Sequence, residues 1–230
     1  MNNYIPPVVK NLLIINVLFF AAKYFLGNQI PMNALFAVFY FDSPNFNFWQ
    51  PITYMFMHGD FMHILFNMFA LYSFGSILES QWGTKRFINF YLITGLGALG
   101  LQWCVQAFEV YQIVGSITVP DSFTTTSMAD YQALRNIYAV PMVGASGAIF
   151  GLLIAFGMKY PDEELFIMFI PVPVKAKYIM PVYVLISLFL GMANIEGDSV
   201  AHFAHLGGAL IGYIIVKIWE KKDRFYNYYE

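Results

Sequence analysis

Polar positions are sparse along this chain and gather in clumps, with long apolar runs between them. Six runs are long enough, or nearly so, to cross a bilayer core, which takes about 20 helical residues. They cover roughly 8–27, 61–79, 87–108, 144–158, 178–195 and 202–219. The pattern predicts an all-α membrane protein, a six-transmembrane-helix bundle forming a single domain over 1–230. Between the first two runs, 28–59 holds Phe46, Phe48, Trp49 and Tyr54 but no Lys or Arg, as suits a segment lying in the membrane interface. The stretch 109–140 is polar and rich in Ser, Thr and Asp, which predicts an exposed connector.

Composition agrees with a bilayer partner. Hydrophobic residues make up 59% and charged residues 11%, with mean hydropathy +0.58; soluble domains carry about 25% charged residues. A net charge of −2 gives no case for nucleic acid. Cys104 is the only cysteine, so no intrachain disulfide forms, and its apolar setting predicts a small buried filler. Residues 1–7 lack a charged segment followed by a cleavage site and read as a mature start. Lys10, Lys85, Arg86, Lys159, Lys175, Lys177, Lys217, Lys221, Lys222 and Arg224 fall on one side of the predicted spans, Arg135 on the other. Lys23, late in the first span, is expected to snorkel outward. The basic side is cytoplasmic, which places both termini there.

Glycines punctuate the spans. Gly95, Gly97 and Gly100 lie in the third, Gly147 and Gly151 in the fourth, Gly208 and Gly212 in the sixth. The last two pairs are small-xxx-small patterns that let helices approach closely.

Depth, taken from helical rise, shows where polar groups meet. Counting back from Lys159 leaves Ser146 about 10 Å below the outer face, so the fourth run starts inside the protein. Asp198 marks the outer end of the sixth run, with His205 about 10 Å below it. Asp60 marks the outer end of the second, with His63 about 5 Å and Asn67 about 10 Å deep. His63 and Asn67, at i and i+4, share a face. A hydroxyl, an imidazole and an amide thus reach a similar level from three helices, where polar groups are costly and usually functional.

That set permits nucleophilic catalysis. Serine needs a base, and imidazole is the usual one near neutrality. Ser146 would attack, and His205 would take the proton and return it to the leaving amine. Asn67 and the Ser146 N–H can serve a developing oxyanion, as can His63. No carboxylate in the spans is an obvious third member, so a dyad is expected. The rival is zinc held by His202, His205 and His63; no H-E-x-x-H pattern accompanies them, so no metal or cofactor is expected. His58 and His202 also read as packed helix histidines.

Three stretches resemble the motifs of rhomboid intramembrane proteases. Gly144-Ala145-Ser146-Gly147-Ala148-Ile149-Phe150-Gly151 is similar to their serine motif. His58, His63 and Asn67 match the second-helix spacing His-(four residues)-His-(three residues)-Asn. Ala201-His202-Phe203-Ala204-His205-Leu206-Gly207-Gly208, continuing to Gly212, is similar to their sixth helix. The resemblance covers about 49–212. It implies a rhomboid-like bundle of the simple bacterial six-helix type in a bacterial plasma (inner) membrane. It also implies cofactor-free cleavage of single-span transmembrane proteins near the outer face. It assigns Ser146 and His205 as nucleophile and base, and His63 and Asn67 as oxyanion stabilisers. Gly144, Gly147, Phe150, His58 and His202 support them. Phe150 stands where many relatives have tyrosine, and Trp49-Gln50 where some have Trp-Arg. Two other classes are an inactive rhomboid-like protein that binds membrane clients, and a histidine proton channel. Loss of the serine or histidine would mark the first; polar residues through the full depth would mark the second.

Overall fold

The computed structural model describes residues 5–165, 173–193 and 202–226. Helix α1 (Pro7–Leu26) leads into short helices α2 (Met32–Phe36) and α3 (Gln50–Thr53). The second span is α4 (Phe61–Ala70), a π-helical turn over Leu71–Gly75, and α5 (Ser76–Trp82). Then come α6 (Thr84–Val114), α7 (Met128–Ala139), α8 (Ser146–Lys159), α9 (Ala176–Ala193) and α10 (His202–Tyr226). Strands β1 (Glu164–Leu165) and β2 (Val174–Lys175) pair antiparallel between α8 and α9.

Among the described residues, four helical segments are long and apolar enough to cross a membrane: Pro7–Leu26, Phe61–Trp82, Thr84–Val114 and His202–Lys222. Helix α8 is shorter, 14 residues or about 21 Å. It is enclosed rather than lipid-facing, with eight of those residues buried, so its length need not match the bilayer. Helix α9 contains Pro181 and begins two residues before the expected fifth span; residues 194 and 195 of that span, and Asp198, lie outside the described residues. Leu18, Phe25, Phe69, Leu185 and Ile218 are more than half exposed, as lipid-facing side chains are.

Glycine lets α6, α8 and α10 form the centre. A Cβ on Gly208 would run into the Gly147 carbonyl, and one on Gly212 would lie 2.8 Å from the Gly151 Cα. Gly151 packs on Thr94, and Gly97 on Ile211. Gly100 has open space above it, so the third-span glycines do not share one role.

One expectation changes, and two segments gain detail. Cys104 is exposed, because it falls outside the seam that α6 forms with α8 and α10. The connector at 109–140 is mostly exposed, as expected, and more than half of it is helical. Helix α6 runs on to Val114 and stops where Gly115 takes φ +78°; α7 starts where Ser127 Oγ accepts the Asp130 N–H. The aromatic stretch before α4 is partly enclosed by the protein. Ala37, Val38, Phe39 and Tyr40 are buried, whereas Phe48 is 84% exposed. Fully buried Gln50 ties this loop together, donating to the Ala34 and Asn45 carbonyls and accepting from the Asn47 N–H.

At the other end, α1 starts at proline without a side-chain cap. Buried Glu79 supplies the missing acceptors, taking the Val8 N–H at 3.0 Å and the Val9 N–H at 2.8 Å.

Candidate active site

The site begins at the turn before α8. Gly144 has φ +130°, a conformation other residues rarely adopt. Its N–H donates to the Tyr54 carbonyl at 3.0 Å, and the Tyr54 hydroxyl donates to the Gly95 carbonyl at 2.8 Å. Two residues earlier, Met142 and Val38 exchange N–H···O bonds of 2.8 and 3.0 Å. The loop before α4 therefore holds the turn that presents Ser146. A Cβ on Gly144 would lie 2.9 Å from His63 Nε2 and 3.4 Å from Ser146 Oγ. Glycine keeps that point free, and a small oxygen there would be in reach of both atoms.

Ser146 is the first residue of α8, and its Oγ lies 2.8 Å from His205 Nε2 on α10. The Gly147–Gly208 contact brings the two helices close enough for this. Phe150, one turn along α8, stacks on the His205 ring with centroids 4.2 Å apart and planes 9° from parallel. His202 meets the His205 ring edge-on at 6.1 Å and is buried.

His63 lies one turn into α4, whose start is capped by Asp60 Oδ1 accepting the His63 N–H at 2.9 Å. That bond holds the Asp60 carboxyl below the usual carboxylate range. The Gly59 N–H donates to His63 Nδ1 at 3.4 Å. A ring nitrogen that accepts carries no proton, so in a neutral ring the proton sits on Nε2, the atom facing the space over Gly144. Asn67 is buried one turn further on, and its Nδ2 has no protein acceptor among the described residues. A buried donor left open is costly unless a ligand or water takes it. His58 is fully buried, 5.0 Å from the His63 ring. Burial, with His63 beside it, pushes its imidazole down to about 3.

Ser146, His205, Phe150, Gly144 and His63 thus form one cluster. His202 and His58 flank it, each behind another histidine, Gly147 holds the seam, and Asn67 lies deeper on α4. Among the described residues, no three His, Cys, Asp or Glu side chains are grouped to hold a metal ion. The sequence did not reveal three supports: the Tyr54 carbonyl, the Val38–Met142 bridge and Lys23. The Lys23 Nζ donates to the carbonyls of His58 at 2.7 Å and Gly59 at 2.9 Å, in the turn before α4. Its position in an apolar span was the available signal, since a cation there needs acceptors.

Fold and site define a multi-pass helical membrane protein with a serine hydroxyl joined to an imidazole inside its bundle. Residues 45–221 match the Rhomboid domain, and the chain belongs to the rhomboid family. It is 30% identical over 173 residues to Rhomboid protease AarA of Providencia stuartii, covering 74% of this chain and 55% of that protein. It is 29% identical over 161 residues to Rhomboid protein 1, mitochondrial, of Saccharomyces cerevisiae, covering 68% and 38%. With RHOMBOID-like protein 12, mitochondrial, of Arabidopsis thaliana it shares 30% over 169 residues, covering 71% and 44%. The chain spans between 38% and 55% of the length of these relatives.

Proposed function

We propose that this chain is an intramembrane serine endopeptidase, folded as one domain, that cuts transmembrane segments of single-span membrane proteins near the outer face. The hydrogen bond of 2.8 Å between Ser146 Oγ and His205 Nε2 carries the reading. Ser146 Oγ attacks the scissile carbonyl while His205 Nε2 takes its proton. The same imidazolium protonates the leaving amine, and water, activated by His205, then releases the acyl group from Ser146. The oxyanion is met by the His63 Nε2–H, the Asn67 amide and the Ser146 N–H. The stacked Phe150 ring fixes the base in plane. Substrate helices must unwind before their carbonyls can be attacked, so Gly or Pro near the cut aids cleavage.

The distribution of Lys and Arg supports cytoplasmic termini. The Providencia relative favours a bacterial plasma membrane; the relatives named as mitochondrial make an organelle membrane the alternative. Fractionation of the source cells decides between them.

A fluorophosphonate probe should label Ser146 in a bilayer, and Ser146→Ala or His205→Ala should abolish cleavage of a reporter span without unfolding the protein. Absence of labelling in the unmodified chain would instead favour a catalytically inactive client-binding protein.

A further inference from the structure

The Lys23 ammonium is tied to the bundle by two carbonyls from one turn. It lies 2.7 Å from the His58 oxygen and 2.9 Å from the Gly59 oxygen. The first of these belongs to the peptide unit that joins His58 to Gly59. The N–H of that same unit donates to His63 Nδ1. A cation on the oxygen of an amide draws electron density from its nitrogen and makes the N–H a stronger donor. The ammonium therefore does two things to one peptide plane: it fixes the orientation, and it polarises the N–H that the imidazole accepts. Asp60 closes the far side of the turn by taking the His63 N–H.

We infer that Lys23 is a positioning residue which holds His63 in the Nε2–H tautomer through the His58–Gly59 peptide. Without the ammonium that peptide is free to rotate, and Nδ1 loses its donor. The ring then also populates the Nδ1–H form, in which Nε2 presents a lone pair toward Ser146. A lone pair there repels a developing oxyanion, whereas an N–H stabilises it. The link runs from α1 to α4 and touches neither Ser146 nor His205. The catalytic consequence rests on the protease reading above; the tautomer itself does not.

The full chain in lipid nanodiscs, with ¹⁵N-labelled histidine, tests this. Two-bond ¹⁵N correlations distinguish the Nε2–H from the Nδ1–H ring, and His63→Gln assigns the signal. The unmodified chain should show His63 as Nε2–H. Lys23→Met should show a mixture, with kcat for a reporter span down about tenfold and KM within about twofold. It should still reach full fluorophosphonate labelling, more slowly. Lys23→Arg, which keeps a cation with several donors, should restore the tautomer and most of kcat. An Nδ1–H ring in the unmodified chain would overturn the inference, and needs no variant to fold. So would an unchanged tautomer in Lys23→Met. If the unmodified chain labels and cleaves nothing, the protease reading fails while the tautomer measurement still decides the role of Lys23.

Discussion

A single ring sets the posture of the imidazole beside Ser146. Phe150 lies flat against His205, and a flat stack restricts rotation about the imidazole's side-chain bonds while leaving Nε2 open at its edge. Phe150→Ala should lower kcat about tenfold with little change in KM, because it loosens the base rather than removing it. Phe150→Tyr should stay within about threefold, since the ring persists; steady-state cleavage of a reporter span separates the two. His58 acts on stability instead. Its ring stays neutral in the fold down to about pH 3, whereas an unfolded histidine takes up a proton near 6.5. Between those values the unfolded state binds the extra proton. The contribution of His58 is therefore complete above about pH 6.5 and is lost as pH falls, at up to about 1.4 kcal/mol per pH unit. The melting temperature in detergent should drop on acidification through this window, and His58→Gln should flatten the drop.

At the scale of elements, the seam between α8 and α10 decides whether a site exists. Gly208 faces the Gly147 carbonyl with no room for a methyl group, whereas Gly100, on α6, faces open space. Gly208→Val should cost about 3 kcal/mol or prevent folding, and should part Ser146 from His205. Gly100→Ala should be neutral or stabilising by up to about 1 kcal/mol through helix propensity. Chemical denaturation in mixed micelles measures both. Helix positions were legible because apolar runs have length, and the glycine pairs were legible because they repeat at four-residue spacing. Helix α7 and the end of α6 were not read from the polar stretch 109–140. Their signals, Ser127 three residues before Asp130 and Gly115 after an apolar run, are short and were outweighed by polarity. The π-helical turn at Leu71–Gly75 left no mark in the pattern, since the run around it is apolar on nearly every face and a change of phase does not show.

Across the whole molecule, segments between the spans form a second layer that braces the site. Tyr138 on α7 donates its hydroxyl to Asp42 Oδ2 at 2.6 Å, and the Val119 N–H reaches the same oxygen at 3.1 Å. Burial and the Asp42 carboxylate hold the Tyr138 phenol well above its usual range, so it stays a donor at any working pH. Tyr40 donates to the Ile117 carbonyl, and its ring meets that of Tyr138. This layer continues through Val38 and Met142 to the turn at Gly144. Tyr138→Phe should destabilise the protein by about 2 kcal/mol, the worth of a hydrogen bond to a charged acceptor. It should also slow fluorophosphonate labelling of Ser146, although Tyr138 belongs to another element. Labelling rate and melting temperature, taken together, would show whether the brace reaches the site.

By itself the sequence determined the class of fold, through apolar runs of bilayer length, and the residues able to carry chemistry, because polar groups in such runs are few and their depth follows from helical rise. Spacing along one helix says nothing about rotation relative to another. Only the tertiary structure decided that Ser146 and His205 point at each other, that Gly144 leaves a space shared with His63, and that Lys23 donates to two carbonyls of one turn. Those outcomes depend on close backbone contact at the glycines and on hydrogen bonds between residues up to about a hundred positions apart in the chain, which no local pattern encodes.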